Sequence, residues 1–533
     1  MTQRTYLISL GLLVLAALAA QLGLFGVGLY RITSDESARI LTAWHMAWSN
    51  ALEPFLWPPF YKLFVGSALR IDPDIFITPR ALVCATGLLC LLALARLATA
   101  LFEDHRISLI AAALAVLAPQ RLIFSVVPLS DIYYFLFVIT AAACTADWLR
   151  TDRPRSLLLG CGCILLAESV RFESGLFAGF LELLLLYRTC IRRDLRFSTL
   201  VAASVVLFIF PAFWAANSYV WYGSLNNLGV VTQQFVGMFG HDYIQALKWA
   251  PLRWFIQDTI WNPLTVGGVL VVLWLSLRER VVRLWALVFL LPLLVFSVTT
   301  VVSLSTPTAA TWRTSGVWTL MMLPFDAVAA YRIGQYLARS ARLPRAALAG
   351  LLILAMIPNG IRSLWYARDG LYNNETRLTH QERALDRFVD KKLAHTKAGE
   401  ALIDSSTNLD YMDVLAFAKH PDRLLLTGGG DPVRIGFYEP MRQTYAGKPE
   451  ADFYLKDRFG LDHGGDLRTL NAYHVSLIVV RNPAFIAALD ASPLATRVRS
   501  FNDWTVFAVS PTVSSQPWHG AVLRSPPQAP HAG

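Results

Sequence analysis

The sequence predicts a polytopic α-helical membrane protein with about eleven transmembrane helices and a C-terminal extracytoplasmic α/β domain. Composition is the first reason. Of 533 residues, 55% are hydrophobic and 16% charged, at a mean hydropathy of +0.46, whereas soluble domains carry roughly 45–50% apolar and 25% charged residues. Secondly, apolar runs near the length demanded by a bilayer core of roughly 30 Å recur through the first 365 positions. Thirdly, basic residues gather in alternate connections between those runs. Topology thus accounts for the net charge of +10, and no run of interleaved basic and aromatic residues points to a nucleic-acid partner.

The first span is Tyr6–Tyr30. Arg4 precedes it, no small-residue cleavage site follows it, and further spans come after, so it reads as an uncleaved anchor. The runs at 79–102, 107–124, 132–149, 157–170, 174–187, 197–220, 263–277, 284–304, 316–331 and 346–364 complete the eleven. With the N-terminus inside, the cytoplasmic connections hold about 16 Lys and Arg in roughly 46 residues. The outer connections up to residue 315 hold about 8 in roughly 110. An odd number of spans places everything after about residue 365 outside. The two short runs 157–170 and 174–187 meet at Arg171-Phe172-Glu173-Ser174, as two spans or one re-entrant pair. All six cysteines lie in or beside apolar runs before residue 191, without the spacing of a zinc site. They read as small buried hydrophobes. Their distribution and the compact loops fit a bacterial or archaeal inner membrane.

Residues 1–365 therefore form the membrane domain, with outer-face interfacial helices in the loop 31–78. From 366 to 510 the composition is that of a soluble domain. Leu402–Asp404, Leu424–Leu426, Leu477–Val480 and Thr505–Val509 read as short buried strands, and 380–394 reads as a helix. About 145 residues can bury a core of their own. The tail 511–533, with Pro517, Pro526, Pro527 and Pro530, reads as disordered.

Four places could carry chemistry, and all fall on the outer side. After the first span come Asp35 and Glu36, then Trp57-Pro58-Pro59-Phe60-Tyr61-Lys62. Thr33 and Glu36 fit a capping box, which gives Glu36 a structural alternative. Ile40, Trp44 and Trp48 would share one face of a helix lying in the interface. Asp35, just beyond a span end, stands where it could take a proton from an acceptor hydroxyl or amine. Asp131 follows Ser130 at the start of the fourth span and could equally cap it. Arg171 and Glu173 occupy the junction of the two short runs, where charges at membrane depth pair with each other or line a cavity, and Glu168 shares that ambiguity. Arg313 stands in the outer loop 305–315. Carboxylates and guanidinium groups on one face suit a reaction on a phosphate-linked lipid: arginines hold the phosphate, and one carboxylate serves as base. A glycosidase needs a second carboxyl group to protonate its leaving oxygen, but a lipid phosphate leaves as a stable anion.

This order of residues resembles the GT-C membrane glycosyltransferases, in particular the branch of protein O-mannosyltransferases and the lipid A aminoarabinose transferase. The shared features are the acidic pair Asp35-Glu36, the Pro58-Pro59-aromatic segment, Asp131, Arg171 after a short fifth span, and Arg313 ahead of a span containing Pro324. The resemblance covers roughly residues 1–335. It implies Asp35 as catalytic base, supported by Glu36, and Asp131 as a second acid that orients acceptor or base. Arg171 and Arg313 become ligands of the donor phosphate, with Glu173, Trp57 and Tyr61 beside the substrate. Trp57 stands where family members often carry His or Lys, which leaves Lys62 as a substitute cation. The Trp-Trp-Asp motif of oligosaccharyltransferases is absent. The implied function is inverting transfer of a hexosyl or pentosyl group from a polyprenyl-phosphate sugar to a lipid, polysaccharide or protein acceptor. No organic cofactor is expected, and a divalent metal is compatible with the scheme without being required. A transporter or flippase of a lipid-linked substrate is the alternative, and its signature would be inverted repeats or charges near mid-span.

Overall fold

The computed structural model describes residues 1–32, 35–44, 52, 57–225, 249–302, 312–340, 357–365, 379–395, 399–406, 411–428 and 457–510. The chain divides into two compact units, the first running to His380 and the second starting at Gln381.

The described residues of the first unit are helical: α1 (Gln3–Gly26), α2 (Asp35–Trp44), α3 (Phe60–Ile71), α4 (Ile77–Phe102), α5 (His105–Val116), α6 (Pro119–Phe124), α7 (Asp131–Thr151), α8 (Pro154–Glu168), α9 (Gly175–Leu186), α10 (Phe197–Tyr222), α11 (Ala250–Trp261), α12 (Leu264–Arg278), α13 (Arg280–Phe289), α14 (Leu291–Val302) and α15 (Trp312–Ser340). Six helical stretches are long and apolar enough to cross a membrane, and α11 with α12, bent by 109°, would make a seventh. The remaining expected spans are shorter here or less apolar: α5 has 12 residues and α8 has 15. Most of 346–364 lies outside the described residues. Leu7, Leu12, Val205, Ile209 and Leu270 point outward from their helices, as side chains solvated by lipid tails do.

The run 107–124 is not one helix. Pro119 cannot donate to the ladder and restricts Ala118 before it, so the chain breaks after Val116 and restarts as α6. Arg121, fully buried, turns back over the break. Its Nε donates to the Ala115 carbonyl at 2.6 Å, and its Nη2 to the Val116 carbonyl at 2.7 Å. Nη1 donates to the Gly87 carbonyl of α4 at 3.1 Å. One side chain thereby adds donors to the last carbonyls before the break and ties them to α4. Arg121→Met is expected to destabilise the unit by at least about 2 kcal/mol, since three charge-assisted bonds to buried carbonyls are lost. Thermal denaturation in detergent measures the change.

The ends of the bundle are separated by its longest helices. At one end Arg150 of α7 meets Glu103 at 3.3 Å, and Arg188 bonds Asp152 and Asp194 at 2.8 Å each. Arg280 reaches Asp194 at 3.4 Å, and Arg106 donates to the Tyr331 hydroxyl at 3.1 Å. These pairs gather the connections at 103–106, 149–156, 188–196 and 278–283, the Arg-rich set of the sequence. Asp131 opens the same 21-residue helix that Arg150 closes, about 30 Å away at 1.5 Å per residue. The acidic candidates and the Arg-rich connections therefore lie at opposite ends.

The second unit carries α16 (Thr379–Ala394), α17 (Tyr411–Phe417), α18 (Leu467–Ala472) and α19 (Pro483–Asp490) with a five-stranded sheet of order β2-β1-β3-β5-β4. Strands β1 (Glu400–Ile403), β2 (Leu424–Leu426) and β3 (Val475–Val480) are parallel, while β4 (Ala495–Phe501) and β5 (Trp504–Val509) are antiparallel. Leu402, Ile478 and Phe507 stand in register across the buried middle. The four expected strands are present, and β4 is additional. It forms an edge whose residues 496–500 are mostly exposed, and Asn502, at φ +51°, makes its tight turn into β5. The expected tail 511–533 lies outside the described residues.

On α16 the carboxyl oxygens of Asp386 are buried and accept no hydrogen bond among the described residues. Burial, with Glu382 and Asp390 adding to it, pushes this carboxyl well above the ordinary carboxylate range. The unfolded chain releases that proton near pH 4, so the stability it contributes is full below that pH and is lost as the pH climbs toward the folded value. Asp386→Asn, which does not ionise, is expected to flatten this part of the pH profile. Protection factors for amide exchange across 379–394 between pH 4 and 8 would report it.

Candidate functional site

Helix α2 begins at Asp35, and two acids in its first turn complement the helix dipole. Glu36 is fully buried and its Oε1 accepts the Ile32 amide at 2.8 Å. That is a cap, displaced by one residue from the expected box, whose Thr33 lies outside the described residues. Residues 36–43 of α2 are all buried, so the helix packs within the protein and presents no lipid face along that stretch. Trp48 is outside the described residues. The Asp35 side chain is different, at 43% exposure.

Three other segments bring charged groups to Asp35. Asp131 starts α7 and has no exposed surface. Arg171 precedes a 3₁₀ turn at Phe172–Ser174, its amide bonded to the Ala167 carbonyl at the end of α8. Arg313 lies in the first turn of α15. The Arg313 guanidinium joins the two acids: Nη1 donates to Asp35 Oδ2 at 2.6 Å, and Nη2 to Asp131 Oδ2 at 2.8 Å. Its Nε is 3.2 Å from both Asp131 oxygens. Arg171 approaches Asp131 from the other side, Nη1 to Oδ1 at 2.8 Å, and pairs with Glu173 Oε1 through Nη2 at 2.7 Å. Burial alone would depress the Arg171 pKa, but Glu173 and Asp131 outweigh it and hold the group above the ordinary arginine value. A buried carboxylate between two guanidinium groups is the arrangement in which desolvation is offset by pairing and hydrogen bonds.

An apolar cleft adjoins this cluster, lined by Tyr134, Phe177, Leu293 and Phe296 with Glu173 among its residues. The Arg171 guanidinium stands 5.7 Å from the Tyr134 ring. The site thus has a charged centre and an apolar annex between α7, α9 and α14.

No family model and no curated protein matches the chain. Solved structures do. ArnT from Cupriavidus metallidurans in the apo state matches with a TM-score of 0.59 at 13% identity, over 95% of this chain and 99% of that one. The same protein bound to undecaprenyl phosphate matches at 0.57 and 11%, over 97% and 100%. The Archaeoglobus fulgidus oligosaccharyltransferase in its apo form matches at 0.50 and 13%, over 90% and 70%. The chain shares the overall fold of these two proteins. At these identities the likeness is one of architecture, and the chemistry has to be argued from the side chains.

Within this fold, Asp35, Asp131, Arg171, Glu173 and Arg313 meet in one cluster. Trp57 joins it through Arg39, whose guanidinium carbon sits 4.2 Å above the indole ring. The Tyr61 hydroxyl donates to the Pro128 carbonyl at 2.7 Å, fixing α3 to the turn that leads into Asp131. Lys62 is buried on the same helix. The Phe60 amide bonds the Ser169 carbonyl at 3.0 Å, tying the double-proline segment to the end of α8. Two arginines were missed from the sequence. Arg80 donates to the Tyr30 carbonyl at 2.9 Å and to the Phe76 carbonyl at 2.7 Å, fastening the end of the first connection. Arg39 is one helical turn beyond Asp35, a spacing that places both on one face and could have flagged it. Among the described residues no group of three or more His, Cys, Asp or Glu could hold a metal ion.

Proposed function

We propose that the protein is a glycosyltransferase that moves a sugar from a polyprenyl-phosphate donor to an acceptor at the extracytoplasmic face of the cell inner membrane. The observation that carries this reading is the convergence of Asp35, Asp131, Arg171, Glu173 and Arg313 from four separate segments at the end of the bundle opposite the Arg-rich connections. ArnT, which shares the fold over nearly its whole length, has been solved with undecaprenyl phosphate, the kind of lipid phosphate that the proposed donor would release. In this proposal the positive-inside rule sets the N-terminus in the cytoplasm, and the eleven spans read from the sequence would then leave the second unit outside.

In the proposed reaction Asp35, the half-exposed acid, takes the proton from an acceptor hydroxyl or amine. The acceptor atom bonds to the anomeric carbon from the face opposite the phosphate, the carbon–oxygen bond to phosphate breaks, and the configuration inverts. The bond pair leaves on the polyprenyl phosphate, whose added charge guanidinium groups stabilise. Asp131 is out of reach of solvent and orients Arg171 and Arg313. Glu173 holds Arg171 from the cleft side, and Glu36 fixes the start of α2. The scheme serves lipid, polysaccharide and protein acceptors equally, and pentosyl or hexosyl donors. Incubation of the purified protein with a panel of radiolabelled polyprenyl-phosphate sugars and membrane lipids tests it. Label should move to an acceptor, and a panel that yields no product with any donor contradicts the reading.

A further inference from the structure

The two arginines assigned to the donor phosphate are already engaged. Arg313 spends its Nε and both terminal nitrogens on Asp35 and Asp131, and Arg171 is shared between Asp131 and Glu173. An incoming phosphate would have to displace carboxylates from them. Arg39 is in another condition. It is 6% exposed, and its Nε–H is buried with no hydrogen-bond partner. No carboxylate among the described residues lies within ion-pair distance of it; its neighbour is the Trp57 ring at 4.2 Å. A guanidinium held over an indole face makes a contact that uses none of its N–H groups, so the Arg39 Nε–H stays available. Arg39 nevertheless feels the cluster. Burial first, then Arg313, lower its pKa to about 10, with Asp35 and Asp131 working the other way. It therefore remains a cation at neutral pH.

We propose that Arg39, seated on Trp57, receives the phosphate of the lipid-linked donor, while Arg171 and Arg313 chiefly hold the two aspartates in place. The inference rests on the transferase reading and deepens it. A buried guanidinium with an unused N–H is costly in an empty site and becomes an anion site when a phosphate oxygen arrives. Its place one turn along α2 from Asp35 would put the leaving group and the base on one helix face. The same helix would then carry the proton acceptor and the charge that balances the departing anion. Trp57, at the position where members of the resembled family often carry His or Lys, serves as the platform for a cation.

The test compares binding of undecaprenyl phosphate with that of undecaprenol, which lacks the phosphate, to the full-length protein in mixed micelles. Wild type should prefer the phosphate. Arg39→Gln is expected to weaken undecaprenyl phosphate at least tenfold and leave undecaprenol unchanged, and Arg39→Lys, which keeps the charge but not the fork, to fall between. If Arg39→Gln does not fold, the ratio of the two affinities in Arg39→Lys, lowered from wild type, reads the same effect. An unchanged ratio, or equal loss of both lipids, would overturn the assignment to Arg39 alone. A wild-type protein that does not distinguish phosphate from alcohol would instead overturn the transferase reading beneath it.

Discussion

Asp35→Asn is expected to reduce sugar transfer about a thousandfold while leaving folding and donor binding in place, the size of effect that a general base supplies. Exposure separates the two aspartates. Asp35 keeps 43% of its side-chain surface and Asp131 keeps none, so an acceptor can reach the first and not the second. The Arg313 contact to Asp35, a single 2.6 Å bond, is one an entering acceptor can share. Asparagine fills the same volume and still accepts that bond through its carbonyl, so the cluster should survive. The lost quantity is proton affinity. Initial rates at saturating donor, with thermal denaturation as the control, distinguish a chemical defect from a structural one.

Asp131→Asn should act through structure as well as rate. Its carboxylate receives bonds from Arg171 and Arg313 in a fully buried place. Removing one partner from a buried ion network costs about 3–5 kcal/mol, because the remaining charges stay desolvated. Arg171 would retain Glu173 and Arg313 would retain Asp35, so the variant should still assemble. Arg313 would then lean harder on Asp35 and hold the base in its paired state. A drop in melting temperature together with a loss of transfer of at least a hundredfold is the expected signature. Full transfer at normal stability would show that Asp131 is not what orients the arginines.

Much of the membrane unit could be read from hydropathy, because lipid solvation leaves a long signal: helices α1, α4, α7 and α10 fall where the apolar runs lie. The break at Pro119 could not, since the whole of 107–124 is apolar enough for one span, and only the Arg121 hydrogen bonds reveal how the chain accommodates the proline. Strand β4 escaped for the opposite reason: an edge strand with Arg497 and Arg499 carries no apolar run. At the site, membrane side was enough to bring Asp35, Asp131, Arg171 and Arg313 under consideration together, because span alternation fixes which ends share a face. It does not say which charges neutralise which. That Arg313 bridges two aspartates, and that Arg39 bears on Trp57 without an ion partner, depend on how α2 and α15 pack.

The most direct measurement follows both halves of a doubly labelled donor, a polyprenyl-phosphate sugar carrying one label in the sugar and another in the lipid, supplied to the protein in proteoliposomes. Transfer predicts that the sugar label appears on the acceptor while an equal amount of lipid label appears as free polyprenyl phosphate, and that Asp35→Asn does neither. Intact donor arriving in the opposite leaflet, with both labels still joined, would contradict it.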